Sequence, residues 1–172
     1  MHTIERLSAG EFPGSVKDLA ELLVDTVDDG ASVGFLAPFG HEEAASWWRA
    51  QAPVVAGGGL LVWVCRDGGG IAGTVSLALE SKPNSRYRAQ IIKLMVRRDA
   101  RGRGMARALL AVAERAAADA GITLLILDTE TGSAAEHLYL ADGWTRFGIV
   151  PGYAGDPAGV PRDCSFFYKR LG

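Results

Sequence analysis

The chain reads as a single α/β domain on a mixed sheet, of order β-α-α-β-β-β-α-β-α-β-β. Three observations lead there. An apolar run at Gln90–Val96 passes through a glycine-bearing turn into a long amphipathic segment, and a second apolar run, Leu124–Leu127, follows it. Strand, helix and strand in that order close as parallel strands through a right-handed crossover. Ahead of them, two apolar runs flank Asp67-Gly68-Gly69-Gly70, a hairpin composition that makes an antiparallel pair. Near the N-terminus, apolar residues recur at helical rather than alternating spacing. The 172 residues suffice for one domain over positions 1–172, with a sizeable core.

Taken in order, Thr3–Leu7 predicts a short strand. Ser15 and Asp18 suggest a capping-box variant for a helix that carries Val16, Leu19, Ala20, Leu23 and Val27 on one face and ends near Asp29-Gly30. The spacing predicts a second helix over about His41–Gln51, stopped by Pro53. A Gly57-Gly58-Gly59 loop leads to strands at Leu60–Cys65 and Ile71–Leu79. Pro83 and Asn84 mark Glu80–Arg88 as a connection before the Gln90–Val96 strand. The next helix carries Met105, Leu109, Val112 and Ala116 as its stripe, and Gly121 closes it. Leu124–Leu127 is uninterrupted by polar residues, the pattern of a strand covered on both faces. A short helix, Ser133–Ala141, ends at Gly143. Strands around Thr145–Val150 and Cys164–Lys169 finish the chain, joined by a Pro- and Gly-rich loop, Pro151–Arg162.

Hydrophobic residues make up 48% and charged residues 22%, a globular composition. A net charge of −2 leaves no general basic field for nucleic acid. Basic residues instead cluster at Arg97, Arg98, Arg101 and Arg103, which suits one local anion. The N-terminus lacks a signal-peptide core and no apolar run reaches transmembrane length, so a cytoplasmic protein with no membrane partner is expected. Cys65 and Cys164 form no CxxC pair, and the three histidines show no zinc spacing, so no metal is expected. A disulfide between the two cysteines stays open.

Arg101-Gly102-Arg103-Gly104-Met105-Ala106 is the most informative stretch. Helix starts ordinarily satisfy their free N–H groups with a Ser, Thr, Asp or Asn cap. Ser133 with Glu136 offers such a cap further on, but the helix after this turn has none unless Asp99 serves. Glycine at 102 and 104 removes the Cβ atoms that would hold a ligand off the backbone. N–H groups and the helix dipole then converge on one point, where the dipole alone favours a phosphate by roughly 0.3–2 kcal/mol. The turn lacks both the Gly-Lys-Ser/Thr of a Walker loop and a complete GxGxxG. The alternative is a basic surface turn that happens to hold glycine.

Arg101-x-x-Gly104-x-Ala106 after a strand ending in Val96 resembles the acetyl-coenzyme A motif of the GNAT superfamily of N-acetyltransferases, (Gln/Arg)-x-x-Gly-x-(Gly/Ala). The element order is similar as well. Ala135–Trp144, with Tyr139 followed by Gly143 and an aromatic, resembles that superfamily's second signature. Lys93–Val96, Leu127–Gly132, Gly143-Trp144, Pro151–Ala154 and Phe166–Lys169 are most similar to the tabtoxin-resistance type, which would make antibiotic or toxin resistance the setting. The resemblance implies acetyl-CoA as cosubstrate. It implies that the backbone of Leu94, Met95 and Val96 pairs with the pantetheine amides. It implies that the N–H groups of Arg101, Gly102, Arg103, Gly104, Met105 and Ala106 hold the pyrophosphate, with Arg101 or Arg103 reaching the ribose phosphate. Ser133 and Glu136 are implied to approach the cofactor, although many relatives have Asn near Gly132-Ser133 and this chain does not.

The implied reaction moves an acetyl group to a primary amine of a small molecule by direct attack in a ternary complex. Neutralising a lysine-like amine, of pKa about 10.4, costs about 4–5 kcal/mol at pH 7, which proximity can offset. Tyr139 is the candidate general acid, its phenol (pKa about 10) matched to a thiolate of about 8.5; a helix tyrosine with its hydroxyl bonded is the plainer reading. Asp128, ending the apolar strand, is the candidate proton acceptor, directly or through water, or else bonds the backbone of Thr129 or Gly132. Gln90 on the adjacent strand cannot take a proton, which argues against paired carboxylates. Glu130, Trp47 and Tyr153 are candidate acceptor-binding residues, with Glu80, Trp48, His41 and His137 behind them and Cys164 last, as an acyl carrier. The glycine-rich loops around Gly57 and Pro151 are candidates for framing a small closed pocket. Two other functions stay open on the same fold: a non-catalytic acyl-coenzyme A sensing domain and a protein N-terminal or lysine acetyltransferase. A C-terminal strand at an exposed edge would allow a homodimer.

Overall fold

Period-two and continuous apolar runs build seven strands into one sheet in a computed structural model that describes residues 3–172. The strands are β1 (Ile4–Arg6), β2 (Leu60–Asp67), β3 (Gly70–Leu79), β4 (Arg88–Val96), β5 (Leu124–Glu130), β6 (Thr145–Gly155) and β7 (Pro161–Arg170). Their order across the sheet is β1-β2-β3-β4-β5-β7-β6. Only β4 and β5 are parallel. The helices are α1 (Phe12–Asp28), α2 (His41–Ala56), α3 (Met105–Asp119) and α4 (Ala134–Ala141), so the predicted element order and the mixed α/β class are those observed.

A helix pair covers each face. Along β2, Val62 and Val64 enter a core with Leu19, Leu23 and Trp48 of α1 and α2. The alternate residues Trp63 and Cys65 enter a second core with Leu109, Leu110 and Ala113 of α3. Alternation on one strand thus feeds two separate cores. Among the described residues no helix is long and apolar enough to cross a membrane.

Several boundaries differ from expectation for identifiable reasons. The reciprocal pair lies seven positions earlier, in the turn that leads into α1, where Glu11 N donates to Ser8 Oγ at 3.3 Å and Ser8 N to Glu11 Oε2 at 2.9 Å. Ser15 is instead a buried member of α1 whose hydroxyl accepts from Arg66. α2 runs through Pro53 to Ala56, because only one turn remains and the Gly57 N–H closes it on the Pro53 carbonyl at 3.0 Å. On α3 the fully buried line is Met105, Leu109, Leu110, Ala113 and Ala117, while Val112 and Ala116 flank it.

β6 and β7 extend well beyond the predicted spans and shorten the loop between them to 156–160. Asp156 organises that turn by accepting from the N–H groups of Ala158 and Val160, both at 3.0 Å. Pro151 and Gly152 stay inside β6 at a register shift, as an outer strand permits. The chain-terminal strand is not the edge: β7 inserts between β5 and β6, and β6 is outermost. Pairing on both sides satisfies β7, whose Phe167 is completely buried.

Gly73 of β3 lets α3 lie close on the sheet. A Cβ there would meet Met105 Sδ at 2.8 Å, Leu109 Cδ1 at 3.0 Å and the Met95 carbonyl at 3.3 Å. Gly73→Ala should therefore destabilise by about 1–2 kcal/mol through overpacking. A lower urea midpoint at unchanged slope is expected; an unaltered midpoint would refute the close approach.

Candidate active site

The site begins with a failure of pairing. β4 and β5 pair at only three positions, Arg88 with Leu124, Ala89 with Leu125 and Gln90 with Ile126. Past Gln90, β4 pairs only with β3 and β5 only with β7, so the two strands face each other with open edges. A bulge accompanies the separation. Thr74 opposes Met95 and Ser76 opposes Ile92, leaving Lys93 and Leu94 against Val75, with Lys93 at φ 53°. Bulges bend a strand and increase its twist. The resulting cleft holds a cavity of about 930 Å³.

One end of the cavity is the start of α3. Gly104 is its N-terminal flanking residue at φ 77°, and no side chain caps the helix. Gly102 also has positive φ, at 75°, and a Cβ on either glycine would point into open space. Asp99 does not serve as the cap, since it pairs with Arg97 Nε at 2.6 Å. The free N–H groups therefore face the cavity, as an anion site requires. The Arg101 side chain is already engaged: Nη1 meets Asp29 at 2.5 Å and Nε donates to the Val96 carbonyl at 3.0 Å. Arg98 grips Asp25 likewise, at 2.7 Å, so the turn is tied to the C-terminal end of α1. Arg103 does not line the cavity, whereas Arg107, one turn on, does. Its only sequence signal was its position one turn into the helix from Arg103.

The other end gathers Asp128, Tyr139, Cys164, Glu130 and Tyr153. Asp128 accepts from Gln90 Nε2 at 3.4 Å and from the Cys164 thiol at 3.5 Å, and it bonds neither Thr129 nor Gly132 backbone. The Cys164 thiol is pushed up to about 12 by burial and then by the Asp128 charge, so it stays protonated and is a poor acyl carrier. Tyr139 is 5% exposed, and its hydroxyl makes no hydrogen bond among the described residues. Burial, then the nearby Asp128, raises this phenol well above its ordinary range. It packs between Trp144 and Phe167, with ring centroids 5.9 Å away in each case. Glu130 lies 3.9 Å from Arg162, and Tyr153 stands edge-on to Phe166 on the exposed rim.

Other predicted residues lie elsewhere. Glu136 does not line the cavity; it is buried, accepting from the Gly132 N–H, from Ser165 Oγ at 2.7 Å and from Arg146 at 2.9 Å. Ser133 lines the cavity, but its hydroxyl caps α4 by accepting from Glu136 N at 3.2 Å. Trp47 packs on Phe35 and Trp48 outside the cavity, and Trp48 is fully buried, its indole donating to the Leu19 carbonyl. His41 bonds the Lys17 carbonyl, His137 the Ser133 carbonyl, and Glu80 pairs with Arg88. The Gly57 loop lies away from the cavity. The walls come instead from residues 29–34, which follow α1, and from β6 and β7 near Tyr153 and Arg162. Lys93 also lines the cavity, and nothing in its spacing had marked it.

Burial raises the Glu136 carboxyl, but the Gly132 N–H, Ser165 and Arg146 outweigh it and leave the group below its ordinary value. A lowered folded value contributes stability that is present above the unfolded value and lost as pH falls through the folded one. Glu136→Gln should therefore cost about 2–4 kcal/mol at pH 7 and flatten the loss of stability below pH ~4.5. Urea midpoints at neutral and acid pH test this; a variant that keeps the wild-type acid slope would remove Glu136 from that role.

The sequence and the fold are similar to those of known proteins. A family model described as Acetyltransferase (GNAT) family matches residues 21–144. N-acetyltransferase 8F1 of Rattus norvegicus is 34% identical over 88 residues, covering 50% of this chain and 40% of that protein. N-acetyltransferase 8B of the same species is 35% identical over 88 residues with the same shares. The chain thus spans less than half the length of these curated relatives. Among solved structures, an N-acetyltransferase from Staphylococcus aureus Mu50 superposes with TM-score 0.79 at 16% identity, covering 100% of this chain and 99% of that one. A GNAT superfamily phosphinothricin acetyltransferase from Sinorhizobium meliloti, solved in complex with acetyl-CoA, gives TM-score 0.80 at 20% identity, covering 99% and 89%. At such identities the likeness is one of fold.

Proposed function

Because the chain belongs to the acetyltransferase (GNAT) family, we propose that it is an acetyl-CoA-dependent N-acetyltransferase acting on a primary amine of a small molecule, by direct attack while both substrates are bound. The carrying observation is one cavity that joins an uncapped helix start to an unbonded Tyr139 hydroxyl beside Asp128. The chain's groups suit the cosubstrate at both ends. The backbone N–H groups of Gly102, Gly104, Met105 and Ala106 would hold the pyrophosphate, the Arg101 N–H being bonded to the Arg98 carbonyl and Arg103 lying off the cavity, and Arg107 adds positive charge at that end. Leu94, Met95 and Val96 offer an open strand edge for the pantetheine amides. Bound acetyl-CoA would supply the activated acetyl group and a sulfur leaving group.

Asp128 takes or orients the amine proton, directly or through a water; it accepts from neutral Gln90 and has no ion-pair partner among the described residues. Tyr139, held protonated through neutral pH, is the hydroxyl proton donor for the departing sulfur; the burial that keeps it protonated also makes it a weaker acid than a free phenol, so its proton moves only as negative charge builds on the sulfur. Glu130 and Tyr153 line the acceptor end. With Ser133 and Glu136 engaged in the α4 cap, contact with the cofactor there falls to backbone. The Lys93–Val96 and Leu127–Gly132 segments support a tabtoxin-resistance type of enzyme, hence an antibiotic, a toxin or a related metabolite as acceptor. A cytoplasmic location and a homodimer formed through β6, where Phe147 is 63% exposed, belong to the same reading. The unbonded Tyr139 hydroxyl favours catalysis over acyl-coenzyme A sensing alone.

Melting in the presence of acetyl-CoA, coenzyme A, ATP and NADH, one at a time, tests the reading. Coenzyme A species at about 100-fold over Kd should stabilise by about 2.7 kcal/mol. Stabilisation by ATP or NADH instead, or by none, would end the assignment. In an amine screen, Tyr139→Phe should lower kcat by about 10²-fold or more while leaving coenzyme A affinity intact. Full activity in that variant would exclude Tyr139 as the acid.

A further inference from the structure

Lys93 takes no part in the chemistry above, yet its placement is unusual. It is the single non-glycine residue with positive φ among those described, at 53°. A left-handed lysine is strained by about 1–2 kcal/mol, so its surroundings must hold it there. Its ammonium donates to the Val33 carbonyl at 2.9 Å and stands 4.9 Å from the Trp47 ring centroid and 5.6 Å from that of Phe35. A carbonyl and two ring faces stabilise the cation without neutralising it, and no ion pair joins it among the described residues. Burial draws the ammonium below the ordinary lysine range, and the charge of Asp128 opposes that shift.

Val33 and Phe35 belong to the connection between α1 and α2, residues 29–40, which has no regular structure of its own. Asp29 through Gly34 form one wall of the cavity. The connection is pinned at four points. Arg101 holds Asp29, and Lys93 holds Val33. Ser32 Oγ donates to the Gly155 carbonyl at 3.1 Å, and Ala37 N donates to the Pro157 carbonyl at 2.7 Å. The first two pins come from β4 and the turn after it, the last two from the end of β6 and the β6–β7 turn.

We propose that Lys93 is a positioning residue that clamps the wall at residues 31–35 to the cofactor-binding strand, so that the bulge in β4 sets the shape of the acceptor pocket. This rests on the acetyltransferase reading of the cavity. Lys93 acts through Val33 and Phe35 rather than on the reacting atoms. The same bulge that opens the cleft between β4 and β5 turns residue 93 toward the connection, so one backbone irregularity shapes both halves of the site.

The test compares wild type with Lys93→Met, which keeps length without charge, and Lys93→Arg, which keeps a cation for the rings and a donor for Val33. Loss of one charge-assisted hydrogen bond and its ring contacts should raise deuterium exchange across residues 31–35 roughly tenfold in Lys93→Met. Coenzyme A affinity should stay unchanged, KM for a turned-over amine should rise more than kcat falls, and Lys93→Arg should restore exchange and KM. Unchanged exchange in Lys93→Met, or an increase that Lys93→Arg leaves in place, overturns the proposal. If Lys93→Met does not fold, Trp47→Leu takes its place and should loosen the same residues. Failure of the wild type to bind coenzyme A would overturn the acetyltransferase reading instead, while the exchange comparison would still decide the clamp.

Discussion

The constraint on which the rest depends is the end of pairing between β4 and β5 after Gln90. A parallel pair inside a sheet ordinarily continues to the ends of its strands, because buried backbone groups left unpaired are costly. Here each strand is satisfied on one side only, β4 by β3 and β5 by β7. The two inner edges are therefore open in the middle of the sheet rather than at its rim. A ligand with amides can complete β4 as an added strand would, and the hydrogen-bond deficit of the protein becomes binding capacity for it.

The two ends of the cleft follow from where elements start and stop. α3 follows β4 through the short turn at 97–104, which puts its uncapped N-terminus at the mouth. β5 ends at Glu130, which puts Asp128 opposite, and α4 then carries Tyr139 back beneath the sheet. Tyr139 and Asp128 lie 11 positions apart by number but share one environment. Burial keeps the phenol protonated, while the carboxylate sits at the cleft with only an amide and a thiol against it. The two groups thus differ in burial while lining a single cavity.

Glu136 shows how a strong sequence signal can point to the wrong task. Ser133-x-x-Glu136 has capping-box spacing, and half of the box forms: Ser133 Oγ accepts from the Glu136 N–H, while the Glu136 carboxylate takes the N–H of Gly132 instead of that of Ser133. What the spacing did not show is that β7 brings Ser165 and β6 brings Arg146 onto the same carboxylate. Three elements then converge on one buried charge, which locks α4 and with it the angle at which Tyr139 enters the cavity. Trp47 lies outside the cavity, and the Arg101 side chain is engaged at its edge, for a similar reason. Each met a long-range partner, Lys93 and Asp29 respectively, that no local pattern reveals.

Local chemistry alone determined the element order, the hairpin at Asp67–Gly70, the uncapped start of α3 at Gly104 and the residue types able to trade protons at Asp128 and Tyr139. These follow from periodicity, φ preferences and side-chain pKa values, which act over a few residues. Only the tertiary structure decided that β4 parts from β5 after Gln90, that β7 rather than β6 is interior, that Glu136 is locked in the α4 cap and that Lys93 pins the wall of the pocket. Those outcomes depend on contacts between residues far apart in the chain, such as Lys93 with Val33, 60 positions away. Their energies arise from burial and pairing once the elements meet, and a one-dimensional pattern carries no measure of that meeting.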